Sequence, residues 1–176
     1  MVGLDRIDVM ASLWQPQRPE RTRVGRLVEA AKDRGDNAAV ALLANEAAEW
    51  SAGLTADVDA VIVPVPPSPD RPNRLVPAVA AALGTALQLP VLDLIERHAV
   101  TPRLRDLEPR DRPAVAAAAD YRFAAPGTSA AGIPESVVLV DDVVLTATTL
   151  EHLAAVLRRG GVRRVSAVAV ARSRRR

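Results

Sequence analysis

The sequence predicts an α/β protein, a mostly parallel sheet flanked by helices with a small irregular hood, in one domain over residues 1–176. Three observations lead there. Apolar β-forming runs alternate with segments whose apolar residues recur at helical spacing. Prolines and glycines close the runs, so the chain must leave sheet or helix at those points. The chain has 176 residues of which 49% are apolar, enough for one domain with a real core.

The elements follow in order. Residues 1–20 carry few periodic signals, and residues 1–55 together read as a helical lead. From Arg21, Val24, Leu27, Val28 and Ala31 share one helical face, and Gly35 is the stop. Asp36 or Asn37 caps a second helix that ends near Gly53. Asp59 to Val65 reads as a buried strand, closed by the proline-rich PPSPDRP. Asn73 can cap a helix from Arg74 to Leu87, with Pro77 tolerated in its first turn. Leu89 to Ile95 reads as a short strand. Residues 97–123, rich in arginine, aspartate and proline, read as the hood or a flexible loop, and Ala124 to Ser136 as a linker. A strand from Val137, a helix from about Thr148 to Arg159, a Gly160–Gly161 stop and a last strand over Arg163 to Ala171 complete a strand–loop–helix–strand unit at 137–171. Strands alternating with helices indicate a parallel sheet covered on both faces.

Composition narrows the chemistry. There is no cysteine, which excludes disulfides and thiolate metal sites, and the two histidines, His98 and His152, do not suggest a zinc site. The opening residues carry Asp5, Arg6 and Asp8 where a signal peptide would be apolar, and no apolar run is long enough to cross a membrane. The expectation is a soluble, cytoplasmic protein with no membrane partner. Eight arginines follow Glu151 with no acid after it, so the segment up to Glu151 carries −6 within a net charge of +2. That basic C-terminus allows a weak nucleic-acid contact through phosphates, although a solvated helix end explains it as well. Arginine outnumbers lysine by 22 to the single Lys32, which looks like a coding bias. Aromatics at 2% argue against a base-stacking platform, so Trp14 and Trp50 read as packing residues. No GxxxxGK[ST] or GxGxxG motif occurs. A receiver domain would place its paired acids at the first strand.

The informative stretch is VVLVDDVVLTATTL, Val137 to Leu150. In an open α/β sheet, ligands bind beyond the carboxyl ends of the strands. Asp141 and Asp142 stand near that end, and the next helix starts a few residues later. Its free N–H groups and positive dipole end suit a phosphate, and Thr146, Thr148 and Thr149 add hydroxyl donors. The carboxylates can accept hydrogen bonds from sugar hydroxyls or hold Mg²⁺ through water. Acids on one side and phosphate donors on the other suit a phosphorylated sugar.

The same stretch resembles the phosphoribosyl pyrophosphate (PRPP) motif of type I phosphoribosyltransferases: an apolar strand, two acids, a few apolar residues and a Thr-Thr-Gly-x-Thr type loop. Leu145 stands where a hydroxyl residue is common and Ala147 where glycine is usual. Lys32, Arg34 and Gly35, then Pro64, Val65 and Pro66, and a shortened Arg71, Pro72, Asn73 and Arg74 element resemble the competence protein F (ComF)-like branch, over residues 24–171. The resemblance implies a Mg²⁺-dependent transfer of a phosphoribosyl group to a nitrogenous acceptor. PRPP would be held by Asp141, Asp142, Thr146, Ala147, Thr148 and Thr149, with Mg²⁺ met indirectly by Asp141 and Asp142. Pro67, Ser68 and Arg71 would face the pyrophosphate, with Arg74 either beside them or simply solvating a helix start. Arg103 and Arg105 would lie in a lid, or in a solvated loop. No residue stands out as an acid or base. The alternative is a non-catalytic member, a PRPP or nucleotide sensor or a ComF-like factor in DNA uptake.

Overall fold

The fold is described from a computed structural model, for residues 3–15, 20–54, 57, 59–70, 73–99, 108, 110–111, 114–115, 120–124 and 132–173. It is α/β, as the alternating pattern predicts. Strands β1 (Arg6–Ser12), β2 (Ala60–Pro64), β5 (Ser136–Val144) and β6 (Arg164–Arg172) form an all-parallel sheet in the order β1-β6-β5-β2. Strands β3 (Ile95–Arg97) and β4 (Tyr121–Phe123) form a separate antiparallel pair. Helices α1 (Arg23–Asp33), α2 (Asn37–Ser51), α3 (Leu75–Leu87) and α4 (Thr148–Arg159) cover the parallel sheet.

Local chemistry starts the helices within one or two residues of the expected positions, α1 at Arg23 instead of Arg21 and α3 at Leu75 instead of Arg74. Thr22 Oγ1 accepts from the Gly25 N–H at 2.9 Å and caps α1. Asp36 Oδ1 accepts from Ala38 N (2.9 Å) and Ala39 N (3.2 Å) and caps α2. Asn73 Oδ1 accepts from Leu75 N at 2.9 Å at the head of α3. Pro77 lies in the first turn of α3, where its missing N–H has no helical partner to lose.

Two expectations need correction. The lead is not helical throughout, because it opens with β1. Charged Arg6 and Asp8 interrupt Ile7 and Val9 there, and the strand gains its ladder from β6, about 160 residues away in the chain. A local reading cannot see such a partner. The segment Leu89 to Ile95 is not a full strand. It makes a single parallel bridge, Val91 to Ile62, with Ile62 N donating to Pro90 O (2.8 Å) and Leu92 N donating to Ile62 O (2.9 Å). The chain then turns into β3. Strands β3 and β4 lie at the two ends of the stretch expected as a hood, and most of the residues between them lie outside the described ones.

Alternation along the strands builds two cores. Ile62, Val138, Val140 and Val168 pack under α1, α2 and α3. Val61, Val63, Leu139 and Val165 pack under α4, with Tyr121 and Phe123 of β4 against them. The connection β2–α3–Val91 runs outward on one face, and β5–α4–β6 runs the other way on the opposite face. The order therefore reverses between β2 and β5. The space beyond the carboxyl ends of those strands is where open α/β sheets bind ligands.

Candidate functional site

Asp141 and Asp142 stand at that reversal, on β5. Pairing to β6 runs through Asp141↔Ala169 and resumes at Val143↔Ala171, skipping the Asp142 step. The Asp142 N–H turns instead to Asp141 Oδ1, at 2.8 Å. The two acids address opposite sides of the strand. Asp142 is buried, 5% exposed, on the side of α1 and α3. Its Oδ2 takes an ion pair from Lys32 Nζ at 2.7 Å and a hydrogen bond from Asn73 Nδ2 at 2.5 Å. One carboxylate oxygen thus ties the last turn of α1, the head of α3 and the end of β5 together.

Asp141, on the other side of the strand, is half-buried. Burial, then the neighbouring Asp142 carboxylate, pushes its pKa up to about 7, against the pull of Lys32 and the Asp142 N–H. Each acid keeps one oxygen uncommitted. No donor among the described residues reaches Asp142 Oδ1 or Asp141 Oδ2, and neither is a sealed, unpartnered buried atom.

The 145–149 loop follows directly. Thr146 is exposed, and Leu145, Ala147, Thr148 and Thr149 are half-buried. Thr146 Oγ1 lies 3.0 Å from Thr148 Oγ1, and Thr148 Oγ1 donates to Thr146 O at 3.3 Å. Ala147 has φ +46°, ψ −4°, and caps α4 without a side-chain bond. The first helical bond of α4 is Glu151 N to Ala147 O at 2.8 Å, and no described group accepts from the N–H groups of Thr148, Thr149 or Leu150. The turn thus leaves free donors and hydroxyls beside the acids, as a phosphate cradle requires. It reaches that shape with alanine in the left-handed region, where glycine carries no penalty.

The expected pyrophosphate-facing loop runs alongside. Pro67 is exposed, and Ser68 is buried and donates to Asp70 Oδ1 at 2.5 Å. Ser68 already has that carboxylate as its acceptor. Arg71 lies outside the described residues, as do Arg103 and Arg105. Arg74 is exposed at the start of α3 and makes no side-chain cap.

Three residues join the site without having been singled out for it. Lys32 and Asn73 grip Asp142. Lys32 carried two signals, as the only lysine in an arginine-rich chain and as the first residue of the Lys32, Arg34 and Gly35 element. Tyr121, on β4, stands close enough for the Asp141 charge to raise its pKa, although burial is the larger cause and Arg97 opposes both. The Arg97 guanidinium lies 5.5 Å from the Tyr121 ring, and the His152 ring lies 5.9 Å away on the other element, α4. Burial and then Arg159 lower the pKa of His152. Trp14 and Trp50 pack against the α1–α3 core, and the Arg21 guanidinium stacks over Trp14 at 4.6 Å.

No group of three or more His, Cys, Asp or Glu residues able to hold a metal occurs among the described residues. The open carboxylate oxygens of Asp141 and Asp142 lie on opposite sides of one strand and do not make an all-protein cation cage. No described helix is long and apolar enough to cross a membrane. A scan against known protein families and a search of curated proteins both return no match.

Proposed function

We propose that the chain binds a phosphorylated ribose, PRPP with Mg²⁺, in the crevice between β2 and β5 and transfers its phosphoribosyl group to a nitrogenous acceptor. One observation carries the reading. At the reversal of strand order, two acids with an open oxygen each adjoin a helix start with three uncommitted N–H groups. The 5′-phosphate would lie on the 146–149 turn and the ribose hydroxyls against Asp141 and Asp142. Asp141 and Asp142 would meet the Mg²⁺, which supplies charge to the departing pyrophosphate. The chain's own contribution is positioning and charge stabilisation as C1 becomes positive.

A second reading is favoured by Ala147. Its left-handed backbone costs about 1–2 kcal/mol where glycine costs none, and Leu145 removes a hydroxyl. A ligand-sensing, non-catalytic protein keeps the shape of the site at lower affinity. The basic C-terminus leaves room for a nucleic-acid contact in such a role, with Arg174–Arg176 outside the described residues.

Thermal unfolding with Mg²⁺ and PRPP tests both. Ligand at 100 times its Kd adds about 2.7 kcal/mol, a rise in Tm of about 5–10 °C for a chain of this size. Stabilisation of the wild type supports ligand binding, which turnover then separates from sensing. Stabilisation of Ala147→Gly alone marks a relict site that keeps its shape and has lost its ligand. Stabilisation of neither removes both.

A further inference from the structure

The inference deepens the ribose-phosphate reading and rests on it. Twenty-two of the 23 Lys and Arg residues are arginine, and the exception, Lys32, is the cation paired with the buried acid of the site. A chain that supplies arginine almost everywhere else departs from that habit at this one position. Stereochemistry says what the departure achieves. Lys32 Nζ and Asn73 Nδ2 converge on a single atom, Asp142 Oδ2, at 2.7 and 2.5 Å. An ammonium is a compact point donor and can share one oxygen with a second donor. A guanidinium is a planar fork whose parallel N–H groups take both oxygens of a carboxylate. With lysine, Asp142 Oδ1 has no donor among the described residues and is not sealed off. Asn73 completes the grip. Its Oδ1 is spent on Leu75 N, so the amide is fixed and its Nδ2 can only donate toward Asp142.

We infer that Lys32 is a positioning residue that holds Asp142 by one oxygen, so that the other reads a ribose hydroxyl, and that arginine at the same position would cover the reader. The role goes beyond charge balance, which either cation would supply.

The test uses the full chain and ribose 5-phosphate, titrated calorimetrically against its 2-deoxy and 3-deoxy analogues. A hydrogen bond to a carboxylate is expected to favour ribose 5-phosphate about tenfold or more over the analogue that lacks the hydroxyl it reads. Lys32→Arg is expected to unfold at a temperature close to wild type and to bind all three sugars with the same weakened affinity. Lys32→Met, which releases Asp142 from one side, is expected to discriminate less than about threefold, whatever its stability. A purely structural ion pair predicts the reverse: Lys32→Arg discriminates as wild type does, and so does whatever folded Lys32→Met remains. Either result overturns the inference. Wild type binding all three sugars alike also overturns it, with phosphate binding left standing. Wild type binding none of them overturns the ribose-phosphate reading, and the inference with it.

Discussion

Replacing Lys32 with methionine keeps the unbranched apolar stem, one atom shorter, and deletes the charge, which isolates the electrostatic grip on Asp142. Breaking a fully buried ion pair by removing one partner costs about 3–5 kcal/mol, because the other charge is left uncompensated. Here the Asp142 side chain is 7% exposed and that of Lys32 34%. Solvent screens the lysine, and Asn73 still donates to the carboxylate, so the cost is reduced to about 2–3 kcal/mol. In a chain of 176 residues, each kcal/mol moves Tm by about 2–4 °C, so Tm falls by about 4–12 °C. Urea and thermal unfolding at pH 8 measure it. The double variant Lys32→Met with Asp142→Asn removes the stranded charge and is expected to recover about 1–2 kcal/mol, as a coupling between contacting residues does. A Lys32→Met protein within about 0.5 kcal/mol of wild type, or a double variant no more stable than the single, would refute the account of Asp142 as a buried charge in need of its partner.

Two further outcomes follow from the site. At Ala147 the ranking of substitutions is expected to invert. Glycine relieves about 1–2 kcal/mol of left-handed strain and returns roughly 0.4–1 kcal/mol as unfolded-chain entropy, so Ala147→Gly is neutral to slightly stabilising; Ala147→Val destabilises, because a β-branched side chain fits that backbone worst. Chemical denaturation that finds glycine about 1 kcal/mol worse than alanine, the ordinary helical ranking, would contradict the conformation. At Asp141 the folded carboxyl holds its proton up to about 7, above its ordinary value of 3.8. Folding therefore binds a proton between those pH values, and the group's contribution to stability is complete below about 3.8 and lost as pH rises through 7. Asp141→Asn is expected to gain stability relative to wild type on going from pH 5 to pH 8, and a pH-independent difference between the two proteins excludes the shift.

The local pattern was enough for much of the architecture. Thr22, Asp36 and Asn73 start their helices through bonds to N–H groups two or three residues away, and such short-range chemistry is written in adjacent letters. Apolar runs such as Val137 to Val140 mark buried strands for the same reason. The pair Asp141–Asp142 and the turn after it could be picked out because a strand end, two acids and a helix start are contiguous. Strand β1 could not, since its ladder belongs to β6 at the far end of the chain. Nor could the grip on Asp142: Lys32, Asn73 and Asp142 lie 41 and 69 residues apart, and only packing of α1 and α3 on the same face of β5 brings them to one oxygen. The asymmetry between the two acids has the same origin. Two identical neighbours in sequence differ because a pleated strand turns one toward a lysine and leaves the other to burial and a like charge.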